Sequence, residues 1–233
     1  MADTQRAALV TGGTGGLGLA IAQGFLQAGF RVQAAGLGEL PASATDLTFH
    51  SLDVTDDAAV RALVADIPRL DVVVNAAGVI RRSEELEPEV FAQVVDINLT
   101  GTMRVCAAAR GKLARTNGSI INIASMLSYF GGGLVPGYAA SKGGIAQLTK
   151  SLAIAYAPDG IRVNALAPGW IATQLTENLQ NDPDRSAAIL ARTPMRRWGQ
   201  AEDLVGPALF LASEAADFIT GTLLNVDGGY AAA

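Results

Sequence analysis

Ala7-Ala8-Leu9-Val10-Thr11-Gly12-Gly13-Thr14-Gly15-Gly16-Leu17-Gly18 decides the fold class. An apolar run of strand length breaks into clustered glycines, and a helical pattern over 17–28 begins at once. Glycines at such a corner let the backbone approach a pyrophosphate, and a helix N-terminus offers it free N–H groups and partial positive charge. The same residues also describe an ordinary glycine-rich turn. Their position between a first strand and a first helix is what points to a dinucleotide.

Moving outward, the alternation repeats along the chain. Strand-like runs fall at Ala7–Thr11, 31–35, 47–52, 71–75, 119–124, 161–165 and Leu223–Val226, and helical patterns at 17–28, 56–65, 89–115, 138–157 and 202–212. Val72-Val73-Val74 and Ile120-Ile121-Asn122-Ile123 are nearly continuous apolar runs, as strands buried on both faces require. The expected fold is α/β: a single-domain Rossmann-type, doubly wound parallel sheet of about seven strands with helices on both faces. Gly29 reads as the stop of the first helix and Thr55 as the N-cap of the second. Only residues 36–46 separate the second strand from the third. A parallel crossover normally takes a dozen residues or more, so the second crossover helix is expected to be missing.

Composition narrows the function classes. Half of the 233 residues are apolar, 17% are charged and 6% aromatic, which describes an aliphatic core and excludes general disorder. Seventeen basic against 22 acidic residues give a net charge of −5 with no basic block, so no nucleic-acid partner is expected. One cysteine and one histidine exclude a disulfide framework and a Cys/His zinc cluster, and no metal is expected. The polar start Met1–Arg6 and the lack of a long apolar run predict no secretory signal, no membrane span and a cytoplasmic location. His50, inside the third strand, and Cys106, inside the long helix 89–115, read as structural.

Tyr138-Ala139-Ala140-Ser141-Lys142 carries the chemistry. Spacing of four on a helix puts the phenol and the ammonium on one face. A nearby ammonium favours the phenolate, which would bring a group of reference pKa about 10 toward acid/base work near neutrality. Taken alone, the pair equally describes an ordinary surface helix. Ser125, Asn75-Ala76-Ala77-Gly78 and Pro168-Gly169 each follow a strand. They converge on the carboxyl edge of the sheet, where ligands of open α/β sheets bind.

With Asp53, Asn98 and Val226-Asp227-Gly228-Gly229, and with Tyr138 standing 13 positions after Ser125, the constellation resembles the short-chain dehydrogenase/reductase superfamily from Ala7 to Tyr230. The resemblance implies that Tyr138 transfers the proton, Ser125 hydrogen-bonds the substrate oxygen, and Lys142 lowers the tyrosine pKa and holds the nicotinamide ribose. Asn98 would position a relay water. Gly12, Thr14, Gly15, Gly16, Leu17 and Gly18 would cradle the dinucleotide. Gly36, Asp53, Val54, Asn75, Ala76, Ala77 and Gly78 would line its adenosine side, and Pro168, Gly169, Ile171 and Thr173 its nicotinamide side. Where the family carries an Asp for NAD or basic residues for NADP, this chain reads Gly36-Leu37-Gly38-Glu39. With no cation there for a 2′-phosphate, NAD is favoured over NADP.

Further stretches, Ala77-Gly78-Val79-Ile80-Arg81-Arg82, Val135-Pro136-Gly137-Tyr138 and Arg197-Trp198-Gly199, resemble a sugar-acid group, the 2-dehydro-3-deoxy-D-gluconate and gluconate 5-dehydrogenases. That implies a small-molecule sugar-acid substrate, with Arg82 beside Ser125 and Tyr138 as a carboxylate partner; a solvated pair facing Glu84 and Glu85 is the other reading of Arg81 and Arg82. A 3-oxoacyl-carrier-protein reductase or broad ketone or polyol reductase is the alternative enzyme, and a nucleotide-sensing regulator the alternative outside enzymes. Residues 172–198, polar and carrying Pro183 and Pro194, are expected to form a mobile lid. Alanine-rich helical faces and the family resemblance predict a homotetramer.

Overall fold

The computed structural model describes residues 5–38 and 47–233. Seven parallel strands form one sheet: β1 (Ala7–Thr11), β2 (Arg31–Gly36), β3 (Thr48–Ser51), β4 (Val72–Asn75), β5 (Ser119–Ile123), β6 (Arg162–Pro168) and β7 (Leu223–Val226). Their spatial order is β3-β2-β1-β4-β5-β6-β7, so the order reverses between β1 and β4. A crevice opens beyond the strand ends at such a reversal. The helices are α1 (Gly16–Gln27), α2 (Asp57–Asp66), α3 (Pro88–Val95), α4 (Gly101–Leu113), α5 (Pro136–Tyr156), α6 (Glu177–Gln180), α7 (Pro183–Arg192) and α8 (Val205–Ala212).

The continuous apolar strands are explained by burial on both faces. Val72, Val74 and Ile121 pack with Ile21 and Phe25 of α1 and Ala208 and Leu211 of α8. The intervening Val73 and Ile120 pack with Val60 and Val64 of α2, Val105 and Leu113 of α4, and Leu152 and Tyr156 of α5. Side chains alternate across a strand, so each run feeds both layers.

Several boundaries differ from expectation. Gly29 does end the first helix, at φ +85°. The N-cap of α2 is Asp56, whose carboxylate accepts from Ala59 N, rather than Thr55. Thr55 is engaged instead by Asp53, which accepts from both its N–H and its hydroxyl. The expected helix 89–115 is divided by a π-helical turn at Asp96–Thr100. The stretch 172–198, expected as a lid, contains α6 and α7, the latter capped by Asp182 and started by Pro183. The expected loss of the second crossover helix concerns residues 39–46, which lie outside the described residues. Among those described, no helix is long and apolar enough to cross a membrane.

Candidate active site

The β1–α1 corner is held against two neighbouring strand ends. Gly13 N donates to Ala35 O at 3.2 Å, and Ala76 N to Thr11 O at 3.1 Å. A Cβ on Gly12 would stand 2.6 Å from the Ala76 carbonyl and the Ala77 nitrogen, and one on Gly18 would stand 2.2 Å from Gly12 O. Those two glycines are required by close packing. Gly15 has open space around it, and near Gly16 only the Thr173 side chain comes within 4 Å. Gly15 is the N-cap of α1 without a side-chain cap, and the first turn holds no acid. The corner is thus tight underneath and open above, with a bare helix N-terminus, which fits a pyrophosphate. Leu17 is partly buried and packs against the core.

Gly36 ends β2, where a Cβ would meet the Thr14 hydroxyl at 3.0 Å. Thr14 donates to Leu37 O, and the Leu37 side chain is 66% exposed. Asp53 is exposed beyond β3, and its hydrogen bonds from Thr55 hold its carboxyl below the usual range. Val54 is buried, and a Cβ on Gly101 would press against it at 2.7 Å. Arg61 is paired with Asp57, and Arg69 with Asp71.

On the other flank, polar side chains are interlocked. Asn75 turns inward: its Nδ2 donates to Asn122 Oδ1 at 2.9 Å and to Cys106 Sγ at 3.3 Å. Its carboxamide therefore braces β4 to β5 and α4, and does not project toward an adenosine ribose. Asn122 in turn donates to Thr149 of α5. Asn98, in the π-helical turn, accepts from Val79 N at 2.8 Å and donates to Val79 O and Ser141 Oγ. A Cβ on Gly78 would lie 3.3 Å from Asn98 Oδ1 and 3.9 Å from Lys142 Nζ, so these three share one spot. Ser125 follows β5 and Tyr138 lies in the first turn of α5, both lining one cavity of about 340 Å³ with Arg82, Pro168 and Gly169. Ile171 is buried, pairing with Gly199 in a short bridge, and Thr173 leads into α6.

The electrostatics depart from expectation. Burial pushes the Tyr138 phenol above its ordinary value; the hydrogen bond with Ser125 opposes that, and the Glu85 carboxylate adds to it. Lys142 Nζ lies 5.5 Å from the Tyr138 ring centroid, but it donates to Ile123 O at 2.6 Å. Burial brings Lys142 down to about 8, so it keeps its charge at neutrality and loses it as the pH rises past about 8.

Residues that sequence reasoning passed over complete the frame. Glu85, 1% exposed, accepts from Arg81 N at 2.6 Å and from Tyr138 N at 2.7 Å. It thereby caps α5, whose N-cap Val135 has no side-chain bond to give. Neither guanidinium of Arg81 or Arg82 pairs with Glu84 or Glu85 among the described residues. Ser141 donates to Tyr138 O and Ser128 to Lys142 O, holding the same helical turn. Among the described residues no group of three acidic, His or Cys side chains could hold a metal.

Comparison with known proteins places this geometry. A family model described as enoyl-(acyl carrier protein) reductase matches residues 12–231. The chain belongs to the short-chain dehydrogenase/reductase superfamily. This short-chain dehydrogenase/reductase is 41% identical to the 2-dehydro-3-deoxy-D-gluconate 5-dehydrogenase of Pseudoalteromonas atlantica, over 97% of this chain and 95% of that one. A candidate 2-deoxy-D-gluconate 3-dehydrogenase from Agrobacterium tumefaciens with bound NADP superposes at TM-score 0.92, with 42% identity, 99% of this chain and 98% of that chain. A gluconate 5-dehydrogenase from Burkholderia cenocepacia, in complex with NADP and tartrate, superposes at 0.90 with 34% identity, 98% of this chain and 96% of that chain. This family member is an NAD(P)-dependent oxidoreductase acting on CH–OH groups.

Proposed function

We propose that the enzyme interconverts a hydroxyl and a keto group of a sugar acid, as 2-dehydro-3-deoxy-D-gluconate 5-dehydrogenases do, and that it prefers NAD. The observation that carries the substrate reading is Arg82 in the same cavity as Ser125 and Tyr138. A guanidinium beside the reacting groups suits a carboxylate as a bidentate partner. Relatives at about 40% identity named for sugar-acid substrates support it.

The bound nicotinamide would supply or accept the hydride. The protein's own residues handle the proton and the orientation. Tyr138, kept protonated by burial, gives its proton to a substrate carbonyl oxygen, or takes one from a hydroxyl at higher pH. Ser125 donates a hydrogen bond to that oxygen. Lys142 holds the ribose hydroxyls, and Asn98 positions a water beside it. The β1–α1 corner (Gly12, Thr14, Gly15, Gly16, Leu17 and Gly18) receives the pyrophosphate. Gly36, Asp53, Val54 and residues 76–78 form the adenosine side, and Pro168, Gly169, Ile171 and Thr173 the nicotinamide side. Residues 172–198 close over the substrate.

NAD preference rests on electrostatics: Gly36, Leu37 and Gly38 at the end of β2 carry no cation for a 2′-phosphate. A homotetramer is proposed from the outer faces of α4 and α5, where Met103, Ala107, Ile154 and Ala155 are exposed. Light scattering tests the assembly, and a monomer at micromolar concentration would refute it. A panel of sugar acids, polyols and 3-oxoacyl thioesters with NADH and NADPH, followed at the nicotinamide absorbance, tests the rest. Preferential turnover of a sugar acid with NAD(H) is expected; preferential turnover of the thioester would overturn the substrate reading.

A further inference from the structure

Within the lid, α7 ends on an arginine whose surroundings suit an anion. Arg192 is the last residue of α7 and lines the cavity that holds Ser125 and Tyr138. Its guanidinium carbon stands 4.2 Å from the ring centroid of Tyr230 and 4.9 Å from that of Phe130. The two rings are 6.3 Å apart and inclined at 76°, so the cation rests in an aromatic corner. No carboxylate or carbonyl of the described residues pairs with it, whereas the next two lid arginines are engaged. Arg196 donates to Ala191 O at 2.9 Å, and Arg197 forms a two-pronged pair with Asp203 at 2.6 and 3.0 Å. Aromatic faces fix a guanidinium without using its N–H donors, which remain for a ligand.

The corner is rigid by construction. Asp227 accepts from Gly229 N at 2.9 Å and from Ala231 N at 2.8 Å, a turn that holds Tyr230 in place. The lid docks on that turn immediately after Arg192. Met195 N donates to Gly228 O, and Cβ atoms on Gly228 and Gly229 would stand 3.0 Å from Thr193 and Pro194. Both glycines have positive φ, +63° and +87°, so the Asp227-Gly228-Gly229 turn and the lid end fit only without side chains.

We propose that Arg192 is a carboxylate ligand of the substrate, presented by the lid and held by Phe130 and Tyr230, acting in addition to Arg82. This rests on the sugar-acid reading and deepens it: the carboxylate is recognised by a part of the cover as well as by the cavity wall. Arg192 is exposed and Phe130 and Tyr230 are half-buried, so an aromatic wall with free guanidinium donors stands open to a planar anion, which it rewards over a neutral hydroxymethyl end.

The test compares the parent with Arg192→Met and Arg192→Lys on D-gluconate and on glucitol, its neutral counterpart. D-Gluconate binding to the same proteins is followed by tryptophan fluorescence, and thermal melts verify folding. Arg192→Met is expected to raise KM for the acid about tenfold to a hundredfold with kcat little changed, to weaken gluconate binding in parallel, and to leave glucitol unaffected. Arg192→Lys should recover part of the loss, and Tyr230→Leu should lose less than Arg192→Met. A parent that favours gluconate, with an Arg192→Met variant that keeps that preference within about threefold, would overturn this proposal and leave the sugar-acid reading standing. A parent that neither turns over nor binds gluconate would overturn both. Lost gluconate binding in Arg192→Met, in an enzyme that proves to prefer another substrate, would support the anion site and refute the substrate reading alone.

Discussion

The two flanks of the ligand crevice are built differently. On the catalytic flank, Asn75, Asn98, Asn122, Ser141, Lys142 and Thr149 are all buried and joined to one another or to backbone. On the adenosine flank, beyond β2 and β3, Leu37 and Asp53 face outward, and their hydrogen bonds run to Thr14, Thr55 and Asp56 rather than into a buried network. Apart from Asn75 Oδ1, which has no partner, the buried side-chain polar atoms of this network are satisfied, so it specifies a single arrangement at the reacting atoms. An exposed edge needs only shape and charge, and it tolerates substitution. Chemistry is placed where the structure is over-determined, and cofactor choice where it is not.

The sharpest way to break that contrast is Tyr138→Phe, which deletes the titrating oxygen and keeps the ring. Turnover should fall by more than about 100-fold while NADH binding, read by fluorescence, stays within a few-fold. Activity close to the parent's would remove Tyr138 from the mechanism.

Lys142 sharpens the contrast through stability. Its folded pKa is about 8 against an ordinary value of 10.5, so between those values the unfolded chain holds a proton that the folded chain does not. Stability should therefore rise with pH from about 8 to 10, by at most about 1.4 kcal/mol per pH unit. Denaturant titrations across that window should show the rise in the parent and a flatter profile in Lys142→Met. Equal slopes would mean that burial does not tax this ammonium.

Next in size is Glu85→Gln, which turns an amide toward one of the two backbone donors that the carboxylate serves. A loss of about 1–3 kcal/mol is expected in chemical denaturation. Because the Glu85 charge raises the Tyr138 pKa, the alkaline rise of alcohol oxidation should move to lower pH in the variant. An unmoved profile would assign Glu85 to capping alone.

The smallest effect belongs to the open flank. Leu37→Arg should shift the preference between cofactors toward NADPH by about tenfold, one charge-assisted contact, with kcat nearly unchanged. If the parent already favours NADPH, a cation reaches the pocket from elsewhere, and the contrast between flanks loses its electrostatic half.

How far these features can be read from residues alone depends on their range. β1 and β7 were delimited at both ends because apolar runs stop at glycine or charged turns. Ser125, Tyr138 and Lys142 were placed together because strand ends of a parallel sheet share one edge. The π-helical turn leaves no signal of its own in the residues, since it has no composition or capping signature and 89–115 reads as one continuous helix. The Asp182-Pro183 start of α7 is legible in principle as a cap followed by a first-turn proline, but the polar composition around it reads only as a lid without defined helices. Glu85 and the partners of Asn75 carry no local signal. Each is defined by a contact across 31 or more positions, as in Asn75 with Cys106 and Glu85 with Tyr138.

The thiol lodged between α4 and the sheet gives the protein a built-in clock. Cys106 is the chain's single cysteine, is fully buried, and has its pKa pushed up to about 12 by that burial. At pH 8 only about one molecule in ten thousand would carry the reactive thiolate even if a reagent could reach it. Alkylation must therefore wait until α4 lifts away from β4 and β5. Its rate counts openings of that layer alone, because the face under α1 and α8 carries no thiol.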